Sequence, residues 1–77
     1  MLGKQPDYRA LVKDVRRQLG ISQEDLAREL GVSFATVNRW ENGKVKPSKL
    51  AKAQFEQFCS QMVAAGRLVL EPQEWNG

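Results

Sequence analysis

Seventy-seven residues are enough for one small domain and leave no room for a second. Apolar residues make up 42% of the chain and charged residues 27%, a mixture that excludes an intrinsically disordered protein. The formal net charge is only +3, histidine is absent, and Cys59 stands alone. An internal disulfide is therefore excluded, and no acid–base, nucleophile or metal-ligand constellation can be assembled, so an enzyme and a bound cofactor are not expected. No signal-peptide pattern and no long apolar span is visible, so membrane insertion is not expected and the cytoplasm is the expected compartment.

In chain order, Met1 to Asp7 reads as a short, loose arm whose Lys4 could touch a phosphate. Pro6 is tolerated near a helix start and Asp7 is a fair N-cap. Tyr8, Leu11, Val12, Val15 and Leu19 follow helical spacing, which predicts a first helix over residues 8–19, ended by Gly20. Its other face, with Arg9, Lys13, Asp14, Arg17 and Gln18, reads as a solvated surface. Ser22 caps a second helix over 23–30, in which Glu24 and Asp25 sit where the helix dipole favours negative charge. Leu26, Ala27 and Leu30 form its apolar stripe, and Gly31 occupies the place where a helix ends in the left-handed conformation. Ser33 caps a third helix over 34–42, with Val37 and Trp40 inward and Asn42-Gly43 as its stop.

The turn between these two helices is the most specific signal in the chain. Ala27 is small enough for a close crossing, and Val32 can plug the gap. So short a connection cannot make the helices antiparallel; they must cross steeply and leave the outer face of the third one free. That face carries Phe34, Ala35, Thr36, Asn38 and Arg39, with almost no acid, and such a helix fits a DNA major groove. Residues 39–52 hold five lysines or arginines against Glu41 alone, a net +4, whereas residues 53–77 carry a net −2. A basic patch directly after an exposed helix is the electrostatic footprint of a phosphate contact.

Val45 and Lys46 precede Pro47, which forces a loop. Ser48 then caps a long helix predicted to about Ala65, with Ala51, Phe55, Phe58, Cys59 and Met62 inward and Gly66 as its stop. In that stripe Cys59 reads as a buried thiol. The tail over 67–77, with Leu68-Val69-Leu70, Pro72 and Trp75, could be a short strand, a strap over the core or an oligomer contact. The expected core is Leu11, Val15, Leu19, Leu26, Leu30, Val37, Trp40, Phe55 and Phe58, with Trp40 largely buried.

The run Gln23…Leu26-Ala27…Leu30-Gly31-Val32-Ser33…Val37…Trp40-Glu41-Asn42-Gly43-Lys44…Pro47-Ser48 closely resembles the DNA-binding domain of the lambda-repressor/Cro, or XRE, family, over roughly residues 8–50. The resemblance implies an all-α, compact four-helix helix-turn-helix domain over 1–66, followed by a C-terminal tail over 67–77. It also implies roles. Gln23 matches a glutamine that clamps a backbone phosphate and braces the recognition helix. Phe34, Ala35 and Arg39 match positions that read base edges, and Asn38, on the same face, is added as a base contact. Asn42 and Lys44 match a phosphate-holding loop, to which Ser33, Thr36 and Lys46 are added as phosphate contacts. Arg16 and Glu41 match a salt bridge between the first and third helices. The family often has a polar residue where Phe34 stands, and it usually adds a fifth helix that makes the dimer; here one long helix and a tail take that place.

The function expected is therefore sequence-specific binding of double-stranded DNA by the helix over 34–42, in a transcriptional regulator acting as a homodimer. The dimer contact would use the outer side of the last helix or Leu68-Val69-Leu70. An alternative is an antitoxin-like or adaptor module that uses the same fold for protein contacts, which the acidic tail and its apolar run would serve.

Overall fold

In a computed structural model, which describes residues 7–70, four helices form: α1 (Tyr8–Leu19), α2 (Gln23–Leu30), α3 (Phe34–Glu41) and α4 (Lys49–Ala64). Lys4, Pro6, Pro72 and Trp75, on which sequence expectations fell, lie outside the described residues. Each helix starts at a side-chain cap. Asp7 accepts from the Arg9 amide, Ser22 from Asp25, Ser33 from Thr36 and Ser48 from Ala51. At α2 the cap is reciprocal, because the Asp25 carboxylate also accepts from the Ser22 amide at 3.2 Å.

The helices also share one way of ending. In α3 the Gly43 amide donates to the Trp40 carbonyl at 3.2 Å and the Lys44 amide to the Arg39 carbonyl at 3.0 Å, which satisfies carbonyls the helix leaves open. Gly43 needs a φ of 76° for this, a region that side-chain-bearing residues rarely adopt. The flanking caps correct two boundaries: α3 stops at Glu41 with Asn42 as its cap, and α4 runs only from Lys49 to Ala64.

The core forms where the stripes meet. α3 lies against both α1 and α2, and α4 packs on α2. Val12, Val15, Leu26, Val37, Phe55 and Cys59 are fully buried, as is nearly all of Trp40. Tyr8 meets Phe55 edge-on, with ring centroids 6.1 Å apart, which joins α4 to the start of α1. Leu19 and Met62, expected inside, are only partly buried and pack against the rim of the core. Burial, with the Glu56 carboxylate nearby, pushes the Cys59 thiol up to about 12, so it stays protonated and behaves as a small apolar side chain.

Residues 67–70, the described part of the segment after Gly66, lie as a strap over the core, and no strand forms among the described residues. Leu68 is 2% exposed and plugs the core, while Val69 points outward. The Gln18 side chain holds this strap at both backbone groups of Val69. Its carbonyl accepts from the Val69 amide and its Nε2 donates to the Val69 carbonyl, each at 2.9 Å. No described helix is long and apolar enough to cross a membrane.

Trp40 supplies the widest side chain at the α1–α2–α3 junction. Trp40→Ala should cost on the order of 3–5 kcal/mol of unfolding free energy, measured by urea titration at neutral pH. A loss below about 1 kcal/mol would show that Trp40 does not hold this junction.

Candidate nucleic-acid interface

Three residues, Gly31, Val32 and Ser33, separate α2 from α3. Gly31 adopts a φ of 73°, and the Val32 amide returns to the Ala27 carbonyl at 3.0 Å, so the chain reverses without a longer loop. Val32 packs against the core beneath this turn. Ala27 is buried at the crossing, where a larger side chain would hold the helices apart. Ser33 Oγ accepts from the Thr36 amide at 3.1 Å and lies 2.8 Å from Thr36 Oγ1. α3 then divides cleanly: Val37, Trp40 and Glu41 are buried, while Phe34, Ala35 and Arg39 face solvent. Phe34 is 53% exposed, a large apolar surface to leave in water on an otherwise polar face.

Behind that face runs a chain of polar contacts. Glu41 is the buried charged residue of the described chain, at 4% exposure. Arg16 reaches it with two parallel bonds, Nε to Oε2 at 2.6 Å and Nη2 to Oε1 at 2.9 Å, and spends Nη1 on the Ile21 carbonyl. Gln23 Nε2 donates to Glu41 Oε1 at 2.9 Å, and Gln23 Oε1 accepts from Asn38 Nδ2 at 3.1 Å. Asn38 Oδ1 in turn accepts from Asn42 Nδ2 at 2.9 Å. Burial alone would raise the Glu41 carboxyl. The hydrogen bonds from Arg16 and Gln23 and the charges of Arg16 and Lys13 outweigh it and hold the group below the usual glutamate range. The same bond to Glu41 raises Arg16 further. Among the described residues, no buried side-chain polar atom is left without a partner.

The residues assigned to base reading therefore fall into two groups. Phe34, Ala35 and Arg39 share the open face, and among the described residues the Arg39 guanidinium makes no ion pair. Asn38 is half-buried with its amide turned back to Gln23 and Asn42. Of the residues assigned to phosphate, Lys44 and Lys46 are exposed, Ser33 and Thr36 bond to each other, and Gln23 and Asn42 are members of the internal chain. The inward turn of Asn38 has no sequence signal of its own, since helical spacing leaves it on the border between the faces.

Glu41 titrates lower in the folded state than in the unfolded chain, so its contribution to stability is complete above the ordinary glutamate value, about 4.3. It is lost as pH falls through the lowered, folded-state value. Glu41→Gln should therefore flatten the loss of stability below about pH 4.3, while the lowered Asp7 and Asp25 remain in both proteins. Arg16→Ala leaves Glu41 buried without its partner and should cost about 3 kcal/mol, at the low end for a broken buried pair because the Arg16 side chain keeps 24% of its surface in water. Denaturant titrations of both variants at pH 7 and pH 3 check these outcomes; identical pH profiles for parent and Glu41→Gln would refute the linkage.

The profile of the helix-turn-helix family matches residues 12–51, from the middle of α1 to the start of α4. Over 37 residues the chain is 46% identical to the "Uncharacterized HTH-type transcriptional regulator YiaG" of Escherichia coli (strain K12), covering 48% of this chain and 38% of the relative. Over 40 residues it is 40% identical to an "Uncharacterized HTH-type transcriptional regulator" of Methanothermobacter thermautotrophicus, covering 52% of this chain and 58% of the relative. The chain thus spans well under two thirds of the length of these curated relatives. No solved structure shows a significant match. With more than half of its residues in the matched segment, and with α2 and α3 joined by the three-residue Gly31 turn and packed together, the chain belongs to the helix-turn-helix family of the lambda-repressor, or XRE, type.

Proposed function

We propose that this chain binds double-stranded DNA in a sequence-specific manner, as part of a transcriptional regulator, with α3 lying in the major groove. The observation that carries the reading is the division of α3. One side is fixed in the core by Val37, Trp40 and Glu41, and the other offers Phe34, Ala35 and Arg39 to solvent. The names of the relatives, each an HTH-type transcriptional regulator, support the same reading. In it, Arg39 presents its planar fork to guanine O6 and N7, Phe34 packs on a thymine methyl, and Ala35 lets the helix approach closely. Asn38 sits beside them, its amide anchored to Gln23 and Asn42, and steadies the reading face. Lys44 and Lys46 grip phosphates, joined by Gln23, Ser33, Thr36 and Asn42 around the ends of α2 and α3.

One half-site of a few base pairs gives too little discrimination against a genome, so a two-fold homodimer on cytoplasmic DNA completes the proposal. Exposed Leu50 and Val63 on α4 and Val69 on the strap offer apolar surface for the contact.

Selection from a random duplex library by the full chain tests the reading. Arg39→Ala should relax the preference for a guanine in each half-site, at a cost of about 1–3 kcal/mol on the selected sequence. Lys44→Ala should weaken all sequences alike and lower the salt slope by about one. Unchanged affinity and selectivity for Arg39→Ala would refute the readout. Partner binding that ignores salt, with no duplex selected, would favour an adaptor function instead. Sedimentation of the selected complex reports whether two chains bind per site.

A further inference from the structure

Arg9 and Lys13 project from α1 beside the end of α3, and both are exposed. Arg9 lies across the Gly43 turn so closely that a Cβ at position 43 would stand 2.4 Å from Arg9 Cδ. The φ of 76° calls for glycine there, and the missing Cβ also leaves room for this side chain to pass. Arg9 separates two open hollows. One, of about 500 Å³, is bounded by Arg9, Ala10, Lys13, Glu41 and Asn42; the other, of about 250 Å³, by Tyr8, Arg9, Trp40, Gly43, Val45 and Lys46. Asp7 borders both.

We propose that Arg9 and Lys13 form a ledge on α1 that grips the DNA backbone beyond the reach of the recognition helix, at phosphates next to those held by Asn42 and Lys46. The inference rests on the DNA-binding reading above and extends it to a third helix. Its first support is charge. Arg9, Lys13 and Lys46 rim the hollows, and Glu41, which borders the larger one, is already matched by Arg16. Asp7 is the opposing group. Its pair with Arg9 spans 3.4 Å with both side chains more than half exposed, a contact worth little in water that a phosphate can displace. Its second support is shape. The larger hollow has no aromatic wall on which a base could stack, whereas the guanidinium fork of Arg9 matches phosphate oxygens. Because Gly43 has no Cβ, the stem of Arg9 can pass over the turn and bring its guanidinium to the rim.

The test is the salt dependence of duplex binding by the full chain, carrying the selected sequence or a scrambled one. Each phosphate contact contributes about 0.9 to the slope of log affinity against log salt. R9Q/K13Q should lower the slope by about two, so that between 50 and 200 mM salt its affinity falls about tenfold less than that of the parent, on both duplexes alike. R9K, which keeps the charge, should retain the parental slope. The thermal melt of each variant is read alongside, since both side chains are exposed and the fold should persist. If Lys44→Ala lowers the slope while R9Q/K13Q leaves both slope and affinity at parental values, the ledge is refuted and the DNA-binding reading stands. If the parent binds no duplex even at low salt, both fall together.

Discussion

The pairing of Arg16 with Glu41 is the constraint on which the arrangement depends. A carboxylate at 4% exposure is expensive to desolvate, and only a partner with fixed geometry can offset that cost. Arg16 supplies a two-pronged bond from α1, and Gln23 adds a third donor from the start of α2. Glu41 ends α3, so one carboxylate ties three helices at a single point. Such a pair is a poor source of net stability compared with apolar residues of the same volume. Its effect is on register: α3 cannot rotate or slide without stranding a buried charge. The same lock sets which residues of α3 look outward, and hence what the helix can touch.

The chain of amides that follows extends this control to the surface. Gln23 is held by Glu41, Asn38 by Gln23, and Asn42 by Asn38. Each link spends a polar group that a surface residue would otherwise leave to water. The order of the core thus passes along side chains to the loop that carries Lys44 and Lys46. That loop has few apolar anchors of its own, with Val45 half exposed.

Much of this was readable from residue types. All four N-caps were legible because Asp and Ser before an apolar period have one common use, and each glycine stop announced a left-handed turn. The inner stripe of α3 followed from the spacing of Val37 and Trp40 alone. What escaped were contacts that span sequence without periodicity. Gln18 looked like a solvated residue because its partner, Val69, is 51 positions away. The segment around Leu68 stayed ambiguous among strand, strap and oligomer contact because a run of three apolar residues carries no period long enough to decide. Asn38 was placed with the base readers by its position on the helix, yet its amide bonds are set by residues on α2 and at the C-cap of α3. Leu19 fits the stripe of α1 but lies at its end, where the neighbouring helices no longer cover it.

The strap has a consequence for how much of the core the shared segment holds. Residues 12–51, the part shared with other members of the family, do not include Tyr8, Leu11, Phe55, Phe58, Cys59 or Leu68, all of which line the core. Without α4, which packs on α2, the matched segment would lose the Phe55, Phe58 and Cys59 side of its core. In this chain the cover comes from α4 and from Leu68 on the strap. The grip of Gln18 on the Val69 backbone shows one way to attach such a cover, since main-chain groups make no demand on side-chain identity. Within the strap, the demand on side-chain identity falls on Leu68, which fills the core, while Val69 is held by its backbone and leaves its side chain in water.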